Sequence, residues 1–147
     1  MLKIKDIYQL ITKNPIIVNE NESIKDIIIK VNKGNPALSC VYVTDQENKL
    51  TGTISLTALL NVIAVRKGIP SHRDLSVPEL FRYTGKNMVA KDIMAKPMVM
   101  KLDERLEDAI AALIKSDTDG VAIVDDNMEI IGDLNIYEVL CSIPYIE

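Results

Sequence analysis

The sequence predicts an α/β fold built from two copies of one β-α-β-β-α unit, and three observations predict it. The segment GTISLTALL, Gly52 to Leu60, returns as GDLNIYEVL, Gly132 to Leu140, with the glycine and the aliphatic positions kept. Apolar residues fall at i, i+3, i+4 and i+7 as Ile24, Ile27, Ile28, Val31 and again as Leu106, Ala109, Ile110, Leu113, one face of a helix in each copy. Short apolar runs, IIV and MVM after a proline and CVYV and VAIV further on, suit buried strands.

The repeat has a definite register. An offset of 80 pairs Gly52 with Gly132, Val43 with Ile123, Asp45 with Asp125, Leu50 with Ile130 and Leu59 with Val139. Upstream the offset is 82, pairing Pro15 with Pro97, Ile24 with Leu106 and Val31 with Leu113, so the first copy has two extra residues in KGNPALS. The tripeptide KDI precedes each proline, at Lys5 and Lys91, with four more residues before the proline in the first copy. Repetition on this scale marks structural units that bury their faces against one another. The units run over 1–65 and 89–147, with a connector over 66–88.

Each element has a local reason. Ser23 caps the first helix, with Asp26 three residues on; Arg105 cannot accept a hydrogen bond, which leaves Asp103 to cap the matching helix. CVYV with KLTGTI, and VAIV with EIIGDL, pair across the polar turns TDQENK and DDNME. The second helices begin near Leu56 and Ile136. In the connector, SVPE from Ser76 to Glu79 reads as a helix start, with proline tolerated in the first turn, and predicts a short helix from Val77 to Tyr83. The run ALLNVIAV carries more apolar surface than one buried stripe needs, which predicts a homodimer joined through helical faces.

Composition narrows the function. With 147 residues, 48% of them hydrophobic, the chain can fill one compact core. No apolar run approaches the roughly 18 residues of a membrane span, and MLKIKDIYQL lacks the unbroken apolar core of a secretion signal. Cys40 and Cys141 both lie in apolar segments, as reduced core residues do, so a cytoplasmic location is expected. A net charge of -4 opposes a phosphate backbone, and one Phe with no Trp leaves little to stack bases on, which argues against nucleic acid as a partner.

Catalysis finds no support. The six glycines never cluster into a phosphate loop, and Ser55, three residues after Gly52, has no glycine two residues beyond it. His72 is the single histidine, a loop residue without a second ligand at metal spacing, and the acidic turn Asp125, Asp126, Glu129 lacks the glycine and spacing of a calcium loop. No catalytic residue, metal or required cofactor is assigned.

A proline with an apolar strand, an amphipathic helix, a strand ending in Asp45 or Asp125, and a glycine seven residues on that opens into a helix together resemble the cystathionine beta-synthase (CBS) domain, present here as a tandem pair. The resemblance covers nearly the whole chain apart from the connector. It implies two three-stranded sheets packed about a pseudo-twofold axis, with two clefts between the halves. It further implies an adenine nucleotide or S-adenosylmethionine as a regulatory ligand, and a regulated partner protein.

The strand-to-helix turn presents backbone N–H groups and the positive end of a helix dipole, which suits phosphate. The family pattern there is glycine, two residues, Ser or Thr, two residues, Asp; this chain has Ser55 and Ala58 in the first copy, Asn135 and Glu138 in the second. Ile17, Cys40 and Val41 are the implied wall of the first cleft, and Val99, Gly120 and Val121 that of the second. Tyr42 and Ala122 stand where the family often has proline. Glu138 restores the acceptor that Ala58 lacks, so the second cleft is expected to be the better ribose site, with His72 and Arg73 within reach of a bound phosphate. A blander role stands beside each: Ser55 and Asn135 as helix caps, Glu138 as a surface acid near a helix start. At the level of the chain the two readings are a ligand-sensing module and a structural or protein-interaction module with degenerate clefts.

Overall fold

The computed structural model describes residues 2–8, 15–34, 40–70, 76–78, 83, 85, 87–116 and 120–142. The first unit comprises β1 (Ile17–Asn19), α1 (Ile24–Asn32), β2 (Cys40–Thr44), β3 (Leu50–Ser55) and α2 (Leu56–Lys67). After a short helix, α3 (Ala90–Ile93), the second unit repeats the order as β4 (Val99–Met100), α4 (Leu106–Ser116), β5 (Gly120–Val124), β6 (Ile130–Asn135) and α5 (Ile136–Ser142). A 3-10 turn over Ile4–Asp6 precedes the first unit as α3 precedes the second. The KDI tripeptides at Lys5 and Lys91 overlap these short helices, a structure the sequence pattern did not assign to them.

Each unit forms its own three-stranded sheet, in the orders β1-β2-β3 and β4-β5-β6, with the first pair parallel and the second antiparallel. The register repeats in detail: Ile17 lies beside Tyr42 as Val99 lies beside Ala122, and both hairpins shift register at the same place, between Val43 and Thr44 and between Ile123 and Val124. In the hairpin turns, Asp45 Oδ1 accepts from the N–H groups of Glu47 (2.8 Å) and Lys49 (3.0 Å), and Asp125 Oδ1 from those of Asn127 (2.8 Å) and Glu129 (3.0 Å). The repeated aspartates therefore fold the turns, as Asp side chains do by bonding the backbone two residues on. Ile24 and Leu106 are both buried and both open their helices, as the matched pattern requires.

The packing between units departs from the simple repeat. Ile4 and Ile7, at the N-terminus, pack with Met100, Leu106, Ala109, Val121, Ile123 and Leu134 of the second unit. Ala90 and Ile93 of α3 pack with Val18, Ile24, Ile27, Val41 and Ile54 of the first. Matching backbone contacts fix the exchange: Lys3 bridges to Arg105 and Val89 to Ser23, while Ile4 N–H reaches the Glu104 carbonyl (3.0 Å) and Ala90 N–H the Glu22 carbonyl (2.9 Å). Each unit's core is thus completed by the segment that precedes the other unit. A third cluster, of Tyr42, Leu50, Ala122 and Val124, lies where the inner faces of the two sheets meet.

Three local expectations meet the structure. Ser23 Oγ accepts from Asp26 N–H at 3.2 Å, as expected. Asp103 does not cap α4: its carboxylate meets Lys5 Nζ at 3.3 Å, and the Leu106 N–H is taken instead by the Leu2 carbonyl at 3.0 Å, a product of the segment exchange. Val77, Pro78 and Tyr83 of the connector helix are helical; the residues between them, and both His72 and Arg73, lie outside the described residues. Arg66 ties α2 to this connector through the carbonyls of Tyr83 (3.3 Å) and Gly85 (2.8 Å).

Candidate functional site

Strand alternation sorts the proposed cleft residues. Successive side chains on a strand point to opposite faces, so Cys40 and Tyr42 face the other unit while Val41 turns into its own unit's core. Val121 does the same in the second unit. Val41 and Val121, expected among the ligand-binding positions, turn their side chains into these cores, which leaves their backbone on the side that Cys40 and Tyr42 face. Ile17 and Val99 are exposed, one residue out of step with the buried Val18 and Met100, and so border the side of each sheet that Tyr42 and Ala122 occupy. Gly120 is half-buried at the start of β5, opposite Asn135, as Cys40 is opposite Ser55.

The two strand-to-helix turns are capped from within. Ser55 Oγ accepts from Ala58 N–H at 3.0 Å, which makes Ser55 the N-cap of α2. In the second unit Asn135 Oδ1 accepts from Glu138 N–H (2.9 Å) while Glu138 Oε1 accepts from Asn135 N–H (3.1 Å), a reciprocal capping box. The N–H groups of Ala58 and Glu138, which the sequence pattern offers to an anion, are already bonded. Glu138 is 0% exposed, so its reading as a surface acid is overturned by burial beneath the second unit's turn. The N-x-x-E spacing of Asn135 and Glu138 was the signal in the sequence for this box.

Two residues join this site that the sequence pattern did not single out as functional. Tyr42 donates its phenol across the boundary between the units to Asp133 Oδ2 at 3.3 Å, and both residues are only 1% exposed. Asp133 Oδ1 is buried with no hydrogen-bond partner. Burial first, and then the charge of Glu138, push the Asp133 carboxyl up to about 7, against the lowering effect of the Tyr42 bond. Burial likewise drives the Tyr42 phenol well above its usual range, so it remains a donor at any physiological pH. An aspartate in the interior of an otherwise apolar strand was the available signal for Asp133.

Gly52 has a second role besides opening the turn. A Cβ there would lie 2.5 Å from Met94 Sδ and 2.8 Å from Met94 Cβ. The residues after α3 run along β3, where Thr53 and Ala95 exchange backbone hydrogen bonds of 3.0 and 2.8 Å. Gly52 thus admits the exchanged segment at close range.

Among the described residues there is no group of three His, Cys, Asp or Glu side chains that could hold a metal ion, and no helix long and apolar enough to cross a membrane.

The pattern of the CBS domain matches residues 4–65 and 90–144. The chain belongs to the CBS domain family. A CBS domain-containing protein from Thermotoga maritima is 31% identical, with 96% of this chain and 93% of that one covered and a TM-score of 0.75. The solved structure of CBSX2 in complex with AMP is similar at 20% identity, covering 97% and 96% of the two chains with a TM-score of 0.72. The CBS domain pair of protein MJ0100, solved with 5'-methylthioadenosine and S-adenosyl-L-methionine, is 20% identical, covers 97% and 95%, and has a TM-score of 0.68. No curated protein sequence matches. The tandem CBS pair explains the paired sheets and the turns at Gly52 and Gly132 as one motif used twice.

Proposed function

We propose that this CBS pair is a regulatory module that binds an adenosine-containing ligand between its repeats and passes the occupancy to a partner protein. The observation that carries the reading is the meeting of two inner sheet faces at Tyr42 and Ala122, with Ile17 and Cys40 beside the first and Val99 and Gly120 beside the second, an apolar wall for a flat ring in each cleft. AMP in the CBSX2 structure, and 5'-methylthioadenosine and S-adenosyl-L-methionine in the MJ0100 structure, support the ligand class. Because each unit's core contains the other's leading segment, a ligand that shifts one inner face strains both cores. That is how a small ligand changes the surface a partner meets.

The module works as a homodimer through its helical faces. Leu60 of α2 and Leu140 of α5 occupy equivalent repeat positions and are 64% and 67% exposed, with Tyr137 exposed on the turn before Leu140. A cytoplasmic setting suits Cys40 and Cys141, neither of which is held in a disulfide. Neither a catalytic role nor a resident cofactor belongs to this reading.

Isothermal titration of the full chain with AMP, ATP, 5'-methylthioadenosine and S-adenosylmethionine tests it. Binding of at least one, with native-state stabilisation of about 2.7 kcal/mol at a hundredfold excess over Kd, is expected. Absence of binding by all four transfers the lead to a purely structural module with degenerate clefts. Light scattering at micromolar concentration tests the dimer, and a monomer contradicts it.

A further inference from the structure

We propose that the second cleft selects its adenosyl ligand by charge, taking one that carries no phosphate, and that Asp133 is the residue that excludes the anion. The inference rests on the adenosyl reading and deepens it. It starts from what a phosphate would find. The Asn135–Glu138 box occupies the N–H groups of Asn135 and Glu138 at the start of α5, so the turn has already spent donors that an anion needs. The acceptors are in surplus: Asp133 and Glu138 are buried side by side, 1% and 0% exposed, and Asp133 Oδ1 has no hydrogen-bond partner.

Among the described residues, the groups that act on Asp133 are Glu138 of α5, the Tyr42 phenol of β2 and its own backbone, none of them a cation. Cys40 acts at one remove, through Tyr42. An anion brought into this environment is repelled, because like charges are poorly screened in a medium of low dielectric. A ribose hydroxyl, an exocyclic amine or a sulfonium meets the opposite situation, because the unpartnered carboxylate oxygen accepts a donor or faces a positive charge. Asp133 titrates near 7, so the discrimination sharpens as pH rises through neutrality. The first unit differs at the matching position, which is Thr53, an uncharged residue. Discrimination by charge is therefore a property of the second cleft.

The experiment is titration calorimetry of the full chain with AMP, 5'-methylthioadenosine and S-adenosylmethionine at pH 6 and pH 8. It is repeated on Asp133→Asn and on Asp133→Thr, the latter copying the first unit; a thermal melt of each variant confirms folding. At pH 8 the two phosphate-free ligands are expected to bind about tenfold or more tightly than AMP, with a smaller margin at pH 6. Both variants are expected to lose most of that margin and its dependence on pH, which separates Asp133 from the phosphate's own titration. AMP binding as tightly as the others overturns the inference and leaves the adenosyl reading standing. A margin unchanged in both variants removes Asp133 from the role. Failure of all three ligands, and of ATP, to bind overturns both.

Discussion

At the scale of single residues, Asp133 has a consequence for stability that stands apart from any ligand. An unfolded aspartate ionises near pH 4, whereas burial and Glu138 hold the folded one up to about 7. Between those values the folded chain keeps a proton that the unfolded chain has lost. The stability tied to Asp133 is therefore fully present below about pH 4 and is lost as pH rises through about 7, at no more than ~1.4 kcal/mol per pH unit. Urea denaturation from pH 4.5 to 8 should show this fall, and Asp133→Asn should flatten it; an equal slope in the variant contradicts the assignment. Asn135→Ala removes the cap of α5 and should cost about 1–2 kcal/mol in the same assay, with an unchanged midpoint counting against the box. Gly52→Ala forces a Cβ against Met94 and should cost about 1–3 kcal/mol by overpacking. The cap at Ser23 was legible in the sequence, whereas Ser55 carried two readings there, a ligand hydroxyl and a helix cap, and its Oγ accepts from Ala58 N–H as a cap does. Glu138 was not read as buried, because a charged residue is buried only when a specific partner is present, and that depends on Asn135 and the fold above it together.

Elements were legible where the pattern is local and became illegible where symmetry makes alternatives equal. The helices at Ile24 and Leu106 and all four strands of the two hairpins follow from period and turn chemistry. The segment exchange does not, because two similar copies offer the same apolar faces: Ile4 and Ile7 would suit either core, and sequence period cannot say which they enter. Asp103 failed as a cap for the same reason, since the strand of contacts from Leu2 to Lys5 reaches that site first. The exchange has a direct test in Ile4→Ala. Ile4 is fully buried among residues about a hundred positions away, and its truncation should cost about 2–5 kcal/mol. Hydrogen exchange should then accelerate first in β4, β5, β6 and α4; acceleration first in the first unit contradicts the exchanged packing.

For the whole molecule, interlocked cores imply that neither unit is an independent folding block. Residues 1–65 alone lack α3, and 89–147 alone lack Ile4 and Ile7, so each fragment should remain unfolded while an equimolar mixture regains helical circular dichroism. A stable isolated fragment contradicts this. The same interlocking places both inner faces under one cooperative unit, which is what a ligand between them requires if it is to be felt across the molecule. The proposed place of an adenosyl ligand is between those faces. It is tested most directly by an amide NMR titration of the full chain with 5'-methylthioadenosine, S-adenosylmethionine and AMP in turn. The account predicts saturable shifts centred on Ile17, Cys40, Val99 and Gly120 for at least one ligand. Shifts centred instead on the exposed helical faces around Leu60 and Leu140, or none with any of the three, would contradict it.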